Sequence, residues 1–267
     1  MKVKDKVCVV TGAAGGIGEA IARRYAREGA KGVVVADRDA GRLEAVARDI
    51  KGIAVACDVA KEADIRHLVA EAERQYGPVD VFFSNAGIGR GGHEDALDQD
   101  WADSWGIHVM AHVYAARALV PGMLQRKSGY LLNTASAAGL LASMGSAPYG
   151  VTKHAAVALA EHLSIQYGDK GIRVSVLCPQ AVDTNMLRMA GATAASVDGV
   201  LNTDAVAQTV IDVMDAETFL ILPHPDVLQY MTRKTGDIDR WLRGMRRLRD
   251  KTGEGQDRGK GKRTPGA

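Results

Sequence analysis

The residues best suited to chemistry lie in "APYGVTKHA" (147–155), where Tyr149 precedes Lys153 by four positions, just after a proline and before a run of alanine and leucine. On a helix that spacing stacks the two side chains about one turn apart on one face. The pair has a bland reading as solvated surface decoration. Its chemical reading is that a nearby fixed ammonium favours phenolate and lowers the tyrosine pKa from its ordinary value of about 10. Tyr149 would then serve as a base near neutral pH.

A second cluster is "VVTGAAGGIGEAIA" (9–22), which follows the first apolar run and opens a helix-like segment. Glycines there permit a tight turn and a close approach of backbone, while a helix N-terminus presents N–H groups to a pyrophosphate. Asp37 ends the second apolar run, 19 residues beyond Gly18. An acid at that place accepts from ribose hydroxyls and repels a 2′-phosphate. Arg38 beside it is suited to such a phosphate, so NADP stays a competing expectation, but Asp37 and the lack of a basic residue at Gly15 favour NAD.

These groups need a scaffold that brings them together. Short apolar runs at 6–10, 32–36, 53–57, 79–84, 130–135, 173–178 and 219–222 alternate with helix-like stretches at 17–28, 41–50, 61–76, 98–126, 148–168 and 203–215. Runs without polar alternation fit parallel strands covered on both faces, and the alternation predicts a single doubly wound parallel α/β sheet of Rossmann type. Right-handed crossovers then bring the strands' carboxyl ends to one edge, where ligands bind. The expected division is a catalytic domain over 1–225, an extension over 226–250 and a mobile basic tail over 251–267.

The chain has 267 residues, 46% of them hydrophobic, enough to bury a core without disulfides. No apolar run nears the roughly 20 residues of a membrane span and no secretory leader opens the chain, so a cytoplasmic protein is expected. Cys8, Cys57 and Cys178 sit in apolar runs without metal-ligand spacing; core packing is expected, and no metal. Residues 231–267 carry 12 Lys/Arg and 5 Asp/Glu, or +7, which leaves −5 for the rest of a chain of net +2.

The turn Thr11-Gly12-x-x-x-Gly16-x-Gly18, "SNAG" (84–87), "NTASAAG" (133–139) and "YGVTK" (149–153), in that order, resemble the short-chain dehydrogenase/reductase family over about residues 5–222. Ser136 precedes Tyr149 by 13 residues, as in that family. The resemblance implies that Gly12, Gly16 and Gly18, with Thr11 and Ile17 in the same turn, hold the pyrophosphate, and that Asp37 holds the ribose. Asp58 and Val59 would flank the adenine, and Asn85, Ala86 and Gly87 would line the cleft. Ser136 would bind the substrate oxygen, Tyr149 exchange its proton, and Lys153 hold the nicotinamide ribose. Pro179, Val182 and Thr184 would border the nicotinamide end.

Three departures from the family pattern stand out. His108 occupies the place of an asparagine that helps hold a proton-relay water, 13 residues before Pro121, the proline taken to end that helix. A histidine there would keep the relay, make it pH-sensitive, block it, or simply pack. Gln180 replaces the usual glycine after Pro179, facing either substrate or water. The familiar glycine-rich ending is missing; instead Ile238, Trp241, Leu242, Met245 and Leu248 recur at helical spacing among arginines. Such a helix is expected to pack on this domain or a partner subunit, rather than on a membrane or nucleic acid.

Substrate contacts are expected from His93, Leu140, Met144, Gln180, Met186 and Met189, with 185–200 as a mobile lid. Their mostly apolar character predicts a hydrophobic secondary alcohol or ketone. No carboxylate-binding arginine pair is evident, unless Arg90 and Arg188 turn inward. The expected activity is an NAD-dependent alcohol dehydrogenase, a homodimer through the long helices or a homotetramer. The alternatives are an NADPH-dependent carbonyl reductase and a low-activity dinucleotide-binding protein weakened by His108 and Gln180.

Overall fold

A computed structural model describes residues 1–190 and 194–253. Each apolar run becomes a strand: β1 Val7–Thr11, β2 Gly32–Asp37, β3 Ile53–Ala56, β4 Val81–Ser84, β5 Gly129–Thr134, β6 Ile172–Leu177 and β7 Leu220–Ile221. All neighbours pair in parallel, in the order β3-β2-β1-β4-β5-β6-β7. This is the expected doubly wound sheet. The order reverses between β1 and β4, and the crevice outside the carboxyl ends of those two strands is the general ligand site of such sheets.

Helices α1 Gly16–Arg27, α2 Ala40–Ile50, α3 Glu62–Tyr76, α4 Asp98–Trp105, α5 Ala111–Arg126, α6 Ala147–Tyr167, α7 Asn185–Ala190, α8 Thr203–Ala216, α9 Asp226–Gly236 and α10 Ile238–Thr252 complete the described chain. Alternate strand residues feed two cores. Val7 and Val9 join Leu68, Leu119 and Val157 on the α3–α5–α6 face, while Cys8 and Val10 join Ile21, Leu43 and Val210 on the α1–α2–α8 face. The three cysteines are buried and unpaired, as expected. Burial pushes the Cys57 and Cys178 thiols up to about 12, so they stay protonated.

Two expectations about elements need correction, both in the helix over 98–126. The helix expected over 98–126 is interrupted by a π-helical stretch, Gly106–Met110, between α4 and α5. Pro121 does not end that helix, which runs on to Arg126 and stops at Lys127 in a left-handed conformation, φ 51°. Of the expected lid, 185–190 is helical and Ala194–Ser196 forms a 3-10 turn, with 191–193 outside the described residues. Of the expected mobile tail, 251–252 belongs to α10 and residues 254–267 lie outside those described.

Candidate active site

The first end of the site is the turn between β1 and α1. Gly12 and Gly16 have φ of +67° and +58°, a region that side chains disfavour. A Cβ on Gly12 would stand 2.8 Å from the Cα of Ala86, and one on Gly18 would stand 2.2 Å from the Gly12 carbonyl oxygen. The turn is therefore drawn flat against the segment after β4. That segment is pinned in return: Thr11 Oγ1 accepts from the N–H groups of Asn85 (2.9 Å) and Ala86 (3.2 Å), and Asn85 Nδ2 donates to Thr11 O (3.1 Å). Thr134 donates to Asn85 Oδ1 (3.1 Å), which ties β5 into the same knot. Thr11 and Gly18 thus act as supports beneath the cleft.

Asp37 is fixed where β2 ends. One carboxylate oxygen accepts from Ala14 N–H (3.0 Å) and the other from the N–H groups of Arg38 (2.7 Å) and Asp39 (3.2 Å). Asp37, Arg38, Asp58 and Val59 line one continuous cleft of about 2500 Å³ with Gly12, Gly16, Ile17, Asn85, Ala86 and Gly87. A flat glycine turn at a helix N-terminus, followed by a fixed acid, suits a nicotinamide dinucleotide.

Ser136, Tyr149 and Lys153 line the same cleft. Ser146 caps α6, its hydroxyl accepting from Tyr149 N–H (3.1 Å), and Pro148 occupies the first turn, where its missing N–H costs nothing. The cap sets the helix start, so Tyr149 projects from its first turn and Lys153 follows one turn on. Ser136 leaves β5 in extended conformation; its Oγ accepts from Ala138 N–H (3.1 Å). Lys153 is buried, donates to the Thr134 carbonyl (3.0 Å), and holds its Nζ 5.6 Å from the Tyr149 ring centroid.

The expected depression of the tyrosine pKa is reversed in this structure. Burial raises the Tyr149 phenol above its ordinary value, with the Ser136 hydroxyl opposing it. Burial also lowers Lys153 to about 8. Both shifts have one cause: water that would solvate phenolate or ammonium is excluded.

His108 lies in the π-helical stretch, fully buried behind the cleft. Thr152 Oγ1 commits its proton to the Pro148 carbonyl (2.7 Å), so at 2.9 Å it accepts from His108 Nδ1–H. His108 Nε2 accepts from Ile88 N–H (3.1 Å). Both nitrogens are engaged, the ring is neutral, and burial with the nearby Lys153 charge lowers its pKa to about 2. Of the readings open for His108, a ring that titrates near neutral pH does not fit this buried, doubly bonded neutral imidazole. The ring stands edge-on to Tyr149, centroids 5.4 Å apart and planes at 86°, and buttresses it.

Among the expected substrate residues, Met144, Gln180, Met186 and Met189 line the cleft, whereas His93 and Leu140 do not. Leu140 packs towards the core instead. The Gln180 side chain is turned inward rather than to water, its Oε1 buried without a partner among the described residues, while its backbone N–H donates to His224 Nδ1 (3.2 Å). Pro179, Val182 and Thr184 line the cleft as expected. Arg90 is held by Asp100 and Asp103 (3.2 Å each) and Arg188 by Asp183 (2.5 Å), so both guanidiniums are occupied by acids. Missed by sequence reasoning were Leu141 and the α10 residues Trp241, Met245 and Leu248, which also line the cleft. Their helical periodicity was visible, but was read as a packing face.

A family model described as short chain dehydrogenase matches residues 6–195. The chain belongs to this family. It is an oxidoreductase of that family, with the nicotinamide dinucleotide fold the family uses. The chain is 36% identical to 1-deoxy-11-beta-hydroxypentalenate dehydrogenase of Streptomyces exfoliatus over 85% of its own length and 86% of that protein. It is 35% identical to meso-2,3-butanediol dehydrogenase of Serratia marcescens over 70% of its length and 75% of that enzyme. A short chain dehydrogenase/reductase from Burkholderia phymatum, solved in complex with NAD, superposes with a TM-score of 0.82 at 29% identity, covering 90% of this chain and 96% of that one. The match to the family model ends before α8, so α9 and α10 lie outside it.

Proposed function

We propose that this protein interconverts a hydrophobic secondary alcohol and its ketone, with NAD as hydride acceptor or NADH as donor. The observation that carries this reading is a single cleft that holds Ser136, Tyr149 and Lys153 together with the flat glycine turn and the fixed Asp37. Two relatives named as dehydrogenases of hydroxylated compounds, and a similar fold solved with NAD, support it.

In oxidation, Tyr149 takes the hydroxyl proton and Ser136 Oγ holds the substrate oxygen as charge develops on it. The bound dinucleotide supplies the hydride acceptor, and its oxidised ring adds positive charge. Lys153 uses one N–H on the Thr134 carbonyl, which leaves two to hold a ribose and to stabilise the phenolate. His108 keeps the Tyr149 ring in place without exchanging protons. Asp37 selects NAD over NADP by repelling a 2′-phosphate, while Arg38 and Arg42 at the same end of the cleft are what would favour the alternative NADPH-dependent carbonyl reductase. Arg42 is partly neutralised by Asp39 at 3.5 Å, which tips the balance to NAD.

A homodimer through α4 and α6 is part of this reading, since Trp105, Val151 and Ile165 are exposed on those helices. So is a cytoplasmic location; among the described residues no helix is long and apolar enough to cross a membrane. Initial rates with NAD and NADP on a panel of secondary alcohols test the proposal. NAD is expected to give a kcat/KM at least tenfold above NADP. A ratio of one or less overturns the cofactor assignment; failure of every alcohol and ketone overturns the dehydrogenase.

A further inference from the structure

Helix α10 is amphipathic, yet none of its residues enters the core. It turns two adjoining ridges to the cleft. One is apolar, Trp241, Met245 and Leu248; the other runs Arg240, Gly244 and Arg247. Each follows the i, i+3/i+4, i+7 spacing of one helix face. Trp241, Met245 and Leu248 are only partly buried by the fold, so part of their apolar surface is left for another molecule to cover.

The arginine ridge leaves charge available at the cleft. Arg23, Arg42, Arg90 and Arg188 on the cleft wall are each paired with an acid. Arg240 and Arg247 are exposed and, like Arg38 and Arg233 on the same wall, show no ion pair among the described residues. Nor is the helix loosely placed. Lys234 at the end of α9 donates to the carbonyls of Leu140 (2.8 Å) and Leu141 (2.6 Å), and Tyr230 donates to Asp198 Oδ1 (2.9 Å). Leu141 lies five residues past Ser136, so these bonds hold α9, which α10 directly follows, at the catalytic end of the cleft.

We propose that α10 completes the substrate site, and that the substrate is an amphiphilic acid. Its bulky apolar body, bearing the alcohol or ketone, packs on Trp241, Met245 and Leu248, while a carboxylate-like anion is held by Arg240 and Arg247. Guanidinium matches such an anion in geometry as well as charge. This specificity rests on the dehydrogenase reading above, and reaches beyond it to the far end of the substrate.

Calorimetric titration of the full chain saturated with NADH, with which an alcohol cannot react, tests it, using a hydroxydecalin carboxylic acid and its methyl ester, which share a body and differ in charge. The wild type should bind the acid at least tenfold more tightly than the ester. Arg240→Gln/Arg247→Gln should abolish that difference and leave both ester affinity and NAD affinity unchanged. Trp241→Ala should weaken acid and ester alike by several-fold. Equal binding of acid and ester by the wild type overturns the proposal, as does binding of neither. A weakened NAD affinity in the arginine variant would assign those arginines to the cofactor's phosphates instead. Dissociation of an oligomer by Trp241→Ala, seen by light scattering, would assign the ridge to a second copy; both results overturn it. Because binding is read without turnover, loss of the dehydrogenase reading alone would show as intact discrimination with no alcohol oxidised.

Discussion

At the scale of single residues, two buried histidines one helical turn apart mark this site. His108 has both ring nitrogens engaged; His112, on α5, has neither partnered among the described residues. Burial and the nearby Lys153 charge lower them to about 2 and about 3. The unfolded chain, with histidines near 6.5, binds protons that the folded chain refuses. Stability from keeping them neutral is therefore complete above pH 6.5 and is lost as pH falls towards 3. The slope approaches about 1.4 kcal/mol per pH unit for each histidine. His112→Leu removes one titrating group and its unpaired polar atoms together, a change that is nearly neutral when shape is kept. Thermal melts from pH 7 to pH 4 should show the wild type losing stability more steeply than this variant, with equal Tm at pH 7. A variant as acid-sensitive as the wild type would contradict the assignment.

The residue types of the candidate site were legible because their proposed chemistry depends on spacing along one helix: Tyr149 and Lys153 meet as their sequence separation requires. Their pKa values were not legible. A pattern shows which charge is near, but not how much water the fold removes, and for Tyr149 and Lys153 burial is the larger effect. His108 was ambiguous for the same reason. Its tautomer follows from Thr152 and Ile88, residues 44 and 20 positions away.

Elements carry the next set of consequences. The flat turn before α1 depends on what glycine lacks, above all at Gly18, whose added Cβ would meet backbone that cannot give way. Gly18→Ala should cost about 1–3 kcal/mol of stability, as overpacking does, and raise the KM for NAD at least tenfold, with less effect on KM for the alcohol. Equal effects on both substrates would place the damage outside the cofactor end. All seven strands were legible as short apolar runs, most of them rich in valine, leucine and isoleucine, since a parallel strand covered on both faces needs no polar alternation. The π-helical interruption at Gly106–Met110 was not. One inserted residue leaves the apolar pattern of α4 and α5 almost unchanged, yet it turns His108 towards the cleft wall. The run past Pro121 was equally hidden, because only tertiary packing decides whether a helix tolerates a missing N–H.

For the whole molecule, charge and exposed apolar area become the questions. Ile165 is 78% exposed and Val151 50% exposed on α6, although both are large hydrophobics. If α6 meets its copy across a two-fold axis, Ile165→Asp places like charges close to that interface. Light scattering should then find the wild type as a dimer or larger and the variant as monomer, with the melting curve of the separated subunit shifted downward. A monomeric wild type would contradict the assembly. Among the described residues, the basic character of α10, plain in the sequence, is divided between Arg240 and Arg247, which line the cleft, and arginines that do not. Sequence alone did not separate them, because the direction of a helix face is fixed by anchors such as Lys234 and Tyr230, on another helix.

The central claim is that Tyr149 passes the proton in a dinucleotide-dependent oxidation, and Tyr149→Phe tests it most directly. The substitution keeps the ring that packs edge-on against His108 and removes only the hydroxyl. NADH formation from NAD and the best alcohol of the panel would be measured beside the Kd for NAD. The account predicts that kcat falls by about 10³-fold, within the 10²–10⁴ range of acid–base catalysis, while NAD affinity changes less than threefold. A variant that keeps more than a tenth of wild-type kcat would contradict it.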